Sequence, residues 1–277
     1  VSIQPERPYF YLGEDRALTR LVGGQPFYVY TRDRSITPWI ILGGTWEDFV
    51  DNVLTTLASP GDVFLDVGAN QGYYTVKIGS LVGATGKVFA FEPNPKMFRF
   101  LLDNVELNAL QPRVVCHQVA VGAEAGAMQL EVDDDYPGGA RVLMPALDQA
   151  THRLVDVDVV RIDEVVPAGL VADLIKIDVE GFEPLVCQGM QGLLDRSPGA
   201  AVVCEISVAF WQRFGDPAEL LRRCAGTRRI FRIGTDGLLD ELGADLDSVL
   251  DPNFISYVLL LPDTADRLRC IRDLLRR

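Results

Sequence analysis

The chain has 277 residues, 48% of them hydrophobic, with 26 Lys and Arg against 39 Asp and Glu for a formal charge of −13. That length supplies one large domain or two small ones with a full core and excludes a disordered chain. The acidic balance argues against nucleic acid as a partner, because phosphate backbones are held by clustered Lys and Arg.

No apolar run approaches the roughly 20 residues needed to cross a bilayer, and Val1 to Arg20 lacks a basic segment followed by an apolar one. The 5 cysteines are scattered and never form a CxxC pair. A soluble cytoplasmic protein without disulfides, membrane contact or a zinc site is expected.

In chain order, the first 50 residues are rich in aromatics, from Tyr9, Phe10 and Tyr11 to Trp39 and Trp46. They read as core packing of early strands or as a lid over a substrate. Pro26 to Ile41 reads as a hairpin or a pair of strands, and Trp46 to Leu57 as a helix capped by Thr45.

From Pro60 onward, short β-branched runs alternate with amphipathic stretches, the pattern of a parallel sheet covered by helices. Strands are expected at Val63–Val67, Lys87–Glu92, Val114–Val121, Asp173–Val179, Ala201–Ile206, Arg229–Ile233 and Ser256–Leu261. Helices are expected at Tyr73–Leu81, Lys96–Asn108, Glu183–Leu194, Ala218–Cys224 and Ala265–Leu275. This organisation predicts an N-terminal unit over residues 1–58 and a nucleotide-type α/β domain over 59–277. An insertion at about 123–172 contains the strand-like pieces Met128–Val132 and Val155–Ile162 around an acidic loop, Asp133–Gly139. That loop reads as solvated or as a contact for a cationic sugar or amine.

The sharpest local signal is Asp62-Val-Phe-Leu-Asp66-Val-Gly68-Ala69-Asn70-Gln-Gly72-Tyr73-Tyr74, a buried strand entering a glycine turn and then a helix. Such a turn at a strand's carboxyl end builds a nucleotide-type pocket. The next strand ends Phe91-Glu92-Pro93, placing a carboxylate where it can accept both hydroxyls of a ribose. A dinucleotide fingerprint needs glycines as GxGxxG, and here Gly68, Asn70 and Tyr73 occupy those places, so the pyrophosphate cradle is incomplete. S-adenosylmethionine (SAM) suits the pattern instead: Asp66 can attract its ammonium and the turn its carboxylate.

These motifs, with Gln118-Val119-Ala120-Val-Gly122 and Asp173-Leu-Ile-Lys176-Ile-Asp178-Val-Glu180-Gly-Phe-Glu183, resemble the FkbM family of SAM-dependent methyltransferases over roughly Trp46 to Ile206. The resemblance implies the class I methyltransferase fold, a Rossmann-like, mostly parallel sheet of seven strands with helices on both faces and Ser256–Leu261 as an antiparallel last strand. It further implies that Asp66 to Gly72 hold the methionine end, Glu92 with Pro93 the ribose, and Gln118 to Ala120 the surroundings of the adenine. S-adenosylhomocysteine (SAH) would be the product.

Period-two alternation sets Lys176, Asp178 and Glu180 on one side of their strand end. Three charged groups there are costly unless paired or employed. Methyl transfer to a hydroxyl requires in-line alignment and a proton acceptor. Asp178, which also faces the cofactor, is the first candidate base and Glu205 the second, with Glu180 and Lys176 as orienting groups. His117 and His152 are weaker candidates, and Trp46-Glu47 marks a substrate contact.

Strand-end carboxylates also invite a metal, but no third ligand is evident and none is assigned. The expected reaction is O-methylation of a small-molecule acceptor, a sugar, polyketide or other secondary metabolite. The alternative acceptor is an amide or amine, including a peptide side chain. A NAD-dependent oxidoreductase and a catalytically silent binding protein are the rivals of other classes, and a homodimer is compatible with the aromatic-rich start.

Overall fold

The computed structural model describes residues 7–143, 152–243 and 245–276, so residues 1–6 of the expected N-terminal unit and 144–151 of the expected insertion lie outside the described residues. Strands β1 (Phe10–Gly13), β2 (Arg16–Arg20) and β3 (Pro26–Tyr30) form an antiparallel three-stranded sheet. Helices α1 (Thr37–Gly43) and α2 (Asp48–Leu57) follow.

The expected hairpin over Pro26 to Ile41 is therefore one strand and one helix. Pro38 sits in the first turn of α1, where its missing N–H is not needed, and Asp33 collects the N–H groups of Ser35, Ile36 and Thr37 at 2.7, 3.2 and 2.9 Å. The second helix starts at Asp48 rather than Trp46, and no side chain caps it, Thr45 included. The residue before it, Glu47, takes a left-handed conformation at φ +44.

The larger unit runs β4 (Val63–Val67), α3 (Tyr73–Leu81), β5 (Lys87–Phe91), α4 (Pro95–Leu107) and β6 (Val114–His117). It then leaves the main sheet for a small one made of β7 (Ala120–Val121), β8 (Gly126–Val132), β9 (Arg141–Val142) and β10 (Arg153–Val160). Next come α5 (Ile162–Val165), β11 (Leu174–Ile177), α6 (Glu183–Gly189), α7 (Gln191–Arg196), β12 (Ala201–Ser207), α8 (Val208–Trp211) and α9 (Pro217–Ala225). The chain closes with β13 (Arg229–Ile233), β14 (Leu239–Leu242), β15 (Ile255–Leu261) and α10 (Ala265–Cys270).

Three expected elements are divided. The strand over Val114–Val121 breaks at Gln118-Val119, where the chain changes sheets and β7 pairs with β10. The helix over Glu183–Leu194 splits at Met190, whose φ of −121 is not helical. The last helix stops at Cys270 and is followed by a 3-10 turn at Arg272–Leu274.

The main sheet has the order β6-β5-β4-β11-β12-β15-β13-β14. Strands β6, β5, β4, β11 and β12 pair in parallel, and β15 is wedged antiparallel between β12 and β13. The antiparallel last strand is thus as expected, while β14 at the edge makes eight strands rather than seven. With helices packed on both faces, this is the class I methyltransferase topology.

Each face of the sheet buries its own core. Phe64, Leu174, Val203 and Leu259 face α2 and α3, whereas Leu65, Ile175, Cys204 and Leu260 face the side of α6 to α9. The N-terminal sheet joins the first of these cores through Phe27 and Val29. It is also fixed by polar contacts: the wholly buried Asn104 of α4 accepts from Tyr28 N–H at 2.6 Å and donates to the carbonyls of Tyr28 and Gln71 at 2.9 Å each. Replacing Asn104 by Leu leaves those backbone groups unpaired. Urea denaturation is expected to show a loss of about 2–4 kcal/mol, since each buried unsatisfied group costs roughly 1–3 kcal/mol.

Candidate active site

Strand periodicity builds the site. On β4, β11, β12 and β15 the residues alternating with the second core are Asp66, Lys176, Glu205 and Tyr257, so all four project from the α2–α3 face toward the carboxyl end of the parallel strands. The register sets Lys176 directly beside Asp66, and Glu205 beside Tyr257. A cavity of about 920 Å³ opens at this edge. It is roofed by the start of α1 and the loop Pro137–Ala140, and bounded on its far side by residues 232–236 and 247–257.

Lys176 is the buried hub. Its Nζ donates to the Gly68 carbonyl at 2.9 Å, pairs with Asp178 Oδ2 at 3.2 Å and lies 3.9 Å from Asp66 Oδ1. Burial works to lower its pKa, but Asp178, Asp66 and Glu47 together hold the ammonium above the usual lysine range. Asp66 is fully buried and accepts Thr75 Oγ1 at 2.6 Å, anchoring the first turn of α3. Asp66, expected to attract a ligand ammonium, does not itself line the cavity.

The glycine turn is shaped by packing. Gly68 has φ +85, and a Cβ there would lie 1.8 Å from the Asp178 carbonyl; Gly72 has φ +90 and presses on Leu101. These close approaches are made to the residue just after β11 and to α4, and Gly68 also lines the cavity. The backbone N–H groups of Gly68 and Ala69 bond to the Phe91 carbonyl, and that of Asn70 to Glu92 Oε2 at 2.7 Å. The other Glu92 oxygen accepts from Asn94 N–H at 2.8 Å. Each carboxylate oxygen keeps a second lone pair for a hydroxyl donor. Burial pushes Glu92 up to about 7.

Beside Glu92, the cavity wall is apolar, formed by Phe91, Pro93, Val119, Ala120, Val121 and Leu130. A buried carboxylate next to an apolar slot fits a ribose carrying a flat base. Farther along, Glu47, Asp178, Glu180 and Glu205 make an acidic wall that fits a cationic sulfonium and ammonium.

The acidic wall is strongly perturbed. Glu47 accepts from Tyr257 Oη at 2.7 Å and Tyr74 Oη at 3.2 Å, and burial followed by the Asp178 charge raises it to about 7. Glu180, left-handed at φ +55, rises to about 8 for the same two reasons. Glu205 is pushed well above the carboxylate range, and its Oε2 is buried without a partner. Glu183 shapes the turn beneath: its Oε1 accepts from Val179 and Gly181 N–H at 2.9 and 3.0 Å, and its Oε2 from Trp211 Nε1 at 2.8 Å.

Of the residues picked from the sequence, the cavity brings together Trp46, Glu47, Gly68, Ala69, Asn70, Tyr73, Glu92, Pro93, Val119, Ala120, Lys176, Asp178, Glu180 and Glu205. Asp66, Gly72 and Gln118 lie outside its lining, and Gln118 is exposed. His117 stacks on Phe91 with ring centroids 4.9 Å apart, and His152 lies near Glu131 and Asp133; neither reaches the cavity. Among the described residues, no group of three His, Cys, Asp or Glu side chains is placed to hold a metal. No described helix is long and apolar enough to cross a membrane.

Tyr74 and Tyr257 were missed. Tyr257 is legible in retrospect as the polar interruption in the apolar run Ile255–Leu261. The acidic loop is also clarified: Asp134 pairs with Lys96 at 3.1 Å and Arg153 at 3.3 Å, and Asp135 with Arg32 at 3.0 Å and Arg34 at 3.4 Å. Its acids clasp the loop to neighbouring elements.

The methyltransferase FkbM domain model matches residues 66–228. The hexuronic acid methyltransferase AglP of Haloferax volcanii is 28% identical over 158 residues, 56% of this chain and 61% of that protein. The chain thus covers less than two thirds of that relative's length. Among solved structures, Aeropyrum pernix fibrillarin with bound SAM aligns at 13% identity and a TM-score of 0.44, covering 91% of this chain and 97% of that one. A SAM-dependent O-methyltransferase from Thermotoga maritima aligns at 13% identity and a TM-score of 0.41, covering 88% and 77%. With the family match spanning more than half its length, the chain belongs to the FkbM methyltransferase family.

Proposed function

We propose that this enzyme methylates a hydroxyl oxygen of a small polyhydroxylated acceptor, such as a sugar or a polyketide alcohol. The observation that carries this reading is the charge of the cavity away from the cofactor turn. Besides Glu92, seven acidic residues line it, Glu47, Asp178, Glu180, Glu205, Asp236, Asp247 and Asp251, and each cationic side chain among its described lining is engaged: Lys176 by Asp178, Arg232 by Asp240, and Arg276 by Asp236 and Asp240. A carboxylate acceptor would meet repulsion there. A hydroxyl finds both a proton acceptor and hydrogen-bond partners.

SAM supplies an electrophilic methyl group on a sulfonium. On this reading, the chain holds the ribose through Glu92 and the adenine within the slot of Phe91, Val119, Ala120 and Leu130. Glu47 removes the acceptor's proton, since a base titrating near the working pH is most effective, and Tyr257 and Tyr74 orient its two oxygens. Lys176 holds Asp178 at the cavity wall as a second contact for the acceptor. The N-terminal unit supplies Trp46 and Glu47 and thereby shapes the acceptor side.

The rival acceptor is an amine, which the same acidic wall attracts as an ammonium. SAH formation measured with matched alcohols, amines and hexuronates discriminates them. Turnover is expected with alcohols, and turnover with amines alone would overturn the proposal.

Glu47→Gln is expected to lower kcat by about 10²- to 10⁴-fold while SAH affinity stays within about threefold. Glu47 acts as base only when ionised, so the wild-type rate rises with pH through about 7 and this limb is lost in the variant. An unchanged pH–rate profile would remove Glu47 from the role. Calorimetric titration should show SAH binding at least about tenfold weaker in Glu92→Ala, equivalent to losing one charge-assisted hydrogen bond; unaltered binding would place the ribose elsewhere.

A further inference from the structure

Methyl transfer to a hydroxyl conserves atoms and moves charge. A lone pair of the acceptor oxygen forms the new O–C bond, the S–C bond pair stays on sulfur, and the hydroxyl proton is released. The donor enters as a sulfonium cation and leaves as a neutral thioether. In a cavity walled by buried carboxyls this loss of positive charge is strongly felt, because Coulomb interactions strengthen where water is excluded.

Glu205 is placed to respond to it. The residue lines the cavity but is only 4% exposed, and its Oε2 has no hydrogen-bond partner. Asp178 and Glu180 after β11 and Glu47 before α2 line the same cavity, and the charge of Glu183 at the start of α6 adds to theirs. The cation of this cluster, Lys176, is engaged by Asp178. Tyr257 Oη lies between Glu47 Oε1 at 2.7 Å and Glu205 Oε1 at 3.4 Å, joining the two carboxyls through one hydroxyl. An ionised carboxylate with an orphaned buried oxygen is costly in such surroundings, so without a cation nearby the group is held protonated.

We propose that Glu205 is the charge sensor of this site: it gives up its proton when the sulfonium enters and holds one again beside the neutral thioether, so that donor binds in preference to product. The returning proton is the one taken from the acceptor hydroxyl by Glu47 and passed on through Tyr257. That last step rests on the hydroxyl-acceptor reading, whereas the preference for donor rests on the cofactor alone. In consequence the net charge of site plus ligand is the same before and after transfer, and spent cofactor is released more readily than fresh cofactor.

Isothermal titration of the whole chain with SAM, SAH and sinefungin, which carries an ammonium in place of the sulfonium, tests this without an acceptor. Run in buffers of different ionisation enthalpy, it reads both affinity and protons released. SAM and sinefungin are expected to bind about five- to tenfold more tightly than SAH near pH 8, with the gap narrowing toward about pH 6 because cation binding must then expel a proton. Near neutral pH each should release close to one proton more than SAH, and Glu205→Gln should abolish both differences. Equal affinities and proton counts for SAM and SAH overturn the proposal, as does a gap that survives in Glu205→Gln. If that variant fails to fold, the wild-type proton count decides. Binding of none of the three ligands would overturn the cofactor assignment, and the proposal with it.

Discussion

Everything at the carboxyl edge of this sheet depends on one buried ammonium. Lys176 sits in the middle of an apolar strand, 3% exposed, and a lone charge there would be prohibitively costly. Asp66 on one side, Asp178 on the other and the Gly68 carbonyl above make it tolerable. In doing so they lock the turn after β4 to the end of β11. Truncating Lys176 would leave two acids facing each other without a cation, a situation that typically costs about 3–5 kcal/mol. The ion cluster therefore fixes the relative placement of the two strand ends that border the cavity.

The glycine turn is the second constraint, and its cause lies in the protein. Gly68 is required because the turn is pressed against the Asp178 carbonyl, and Gly72 because the start of α3 meets Leu101. Gln71, between them, is held from the other side: its Nε2 reaches Asp33 at 3.1 Å and its Oε1 accepts from Tyr30 N–H at 2.8 Å. The N-terminal strands are thus wired into the turn through buried amides, so the cavity's roof and floor are set by one network.

How much of this was legible follows from the range of the interactions. The alternation of apolar runs, the glycine turn and the acid after the second strand are local signals and gave the succession of strands and helices, while the antiparallel last strand was implied by the family resemblance. The side on which Lys176 and Asp178 lie follows from period two alone. What sequence could not give was which carboxylate faces the cavity and which is consumed internally: Asp66 and Asp178 look equivalent as strand-end acids, yet only Asp178 lines the cavity. That distinction is made by Thr75, nine residues on, which claims Asp66. Likewise Tyr257 meets Glu47 across 210 positions of sequence. The break at Met190 escaped because the apolar pattern runs through it, and that at Gln118-Val119 because the β-branched run resumes at once while the chain changes sheets.

The wall of the cavity that faces away from the cofactor turn is built from both ends of the chain. Trp46 and Glu47 precede the stretch shared with the family, residues 66–228, and Arg232 to Asp236 and Asp247 to Tyr257 follow it. Two flanks that are independent in sequence meet over a common centre. Mutation of Arg232 to Asp236 or of Asp247 to Tyr257 alters that wall directly, whereas the N-terminal flank is also tied to the turn through Gln71. The turn, Lys176 and Glu92 are thus carried on the family segment and much of the opposite wall on the two flanks, which join where Tyr257 donates to Glu47.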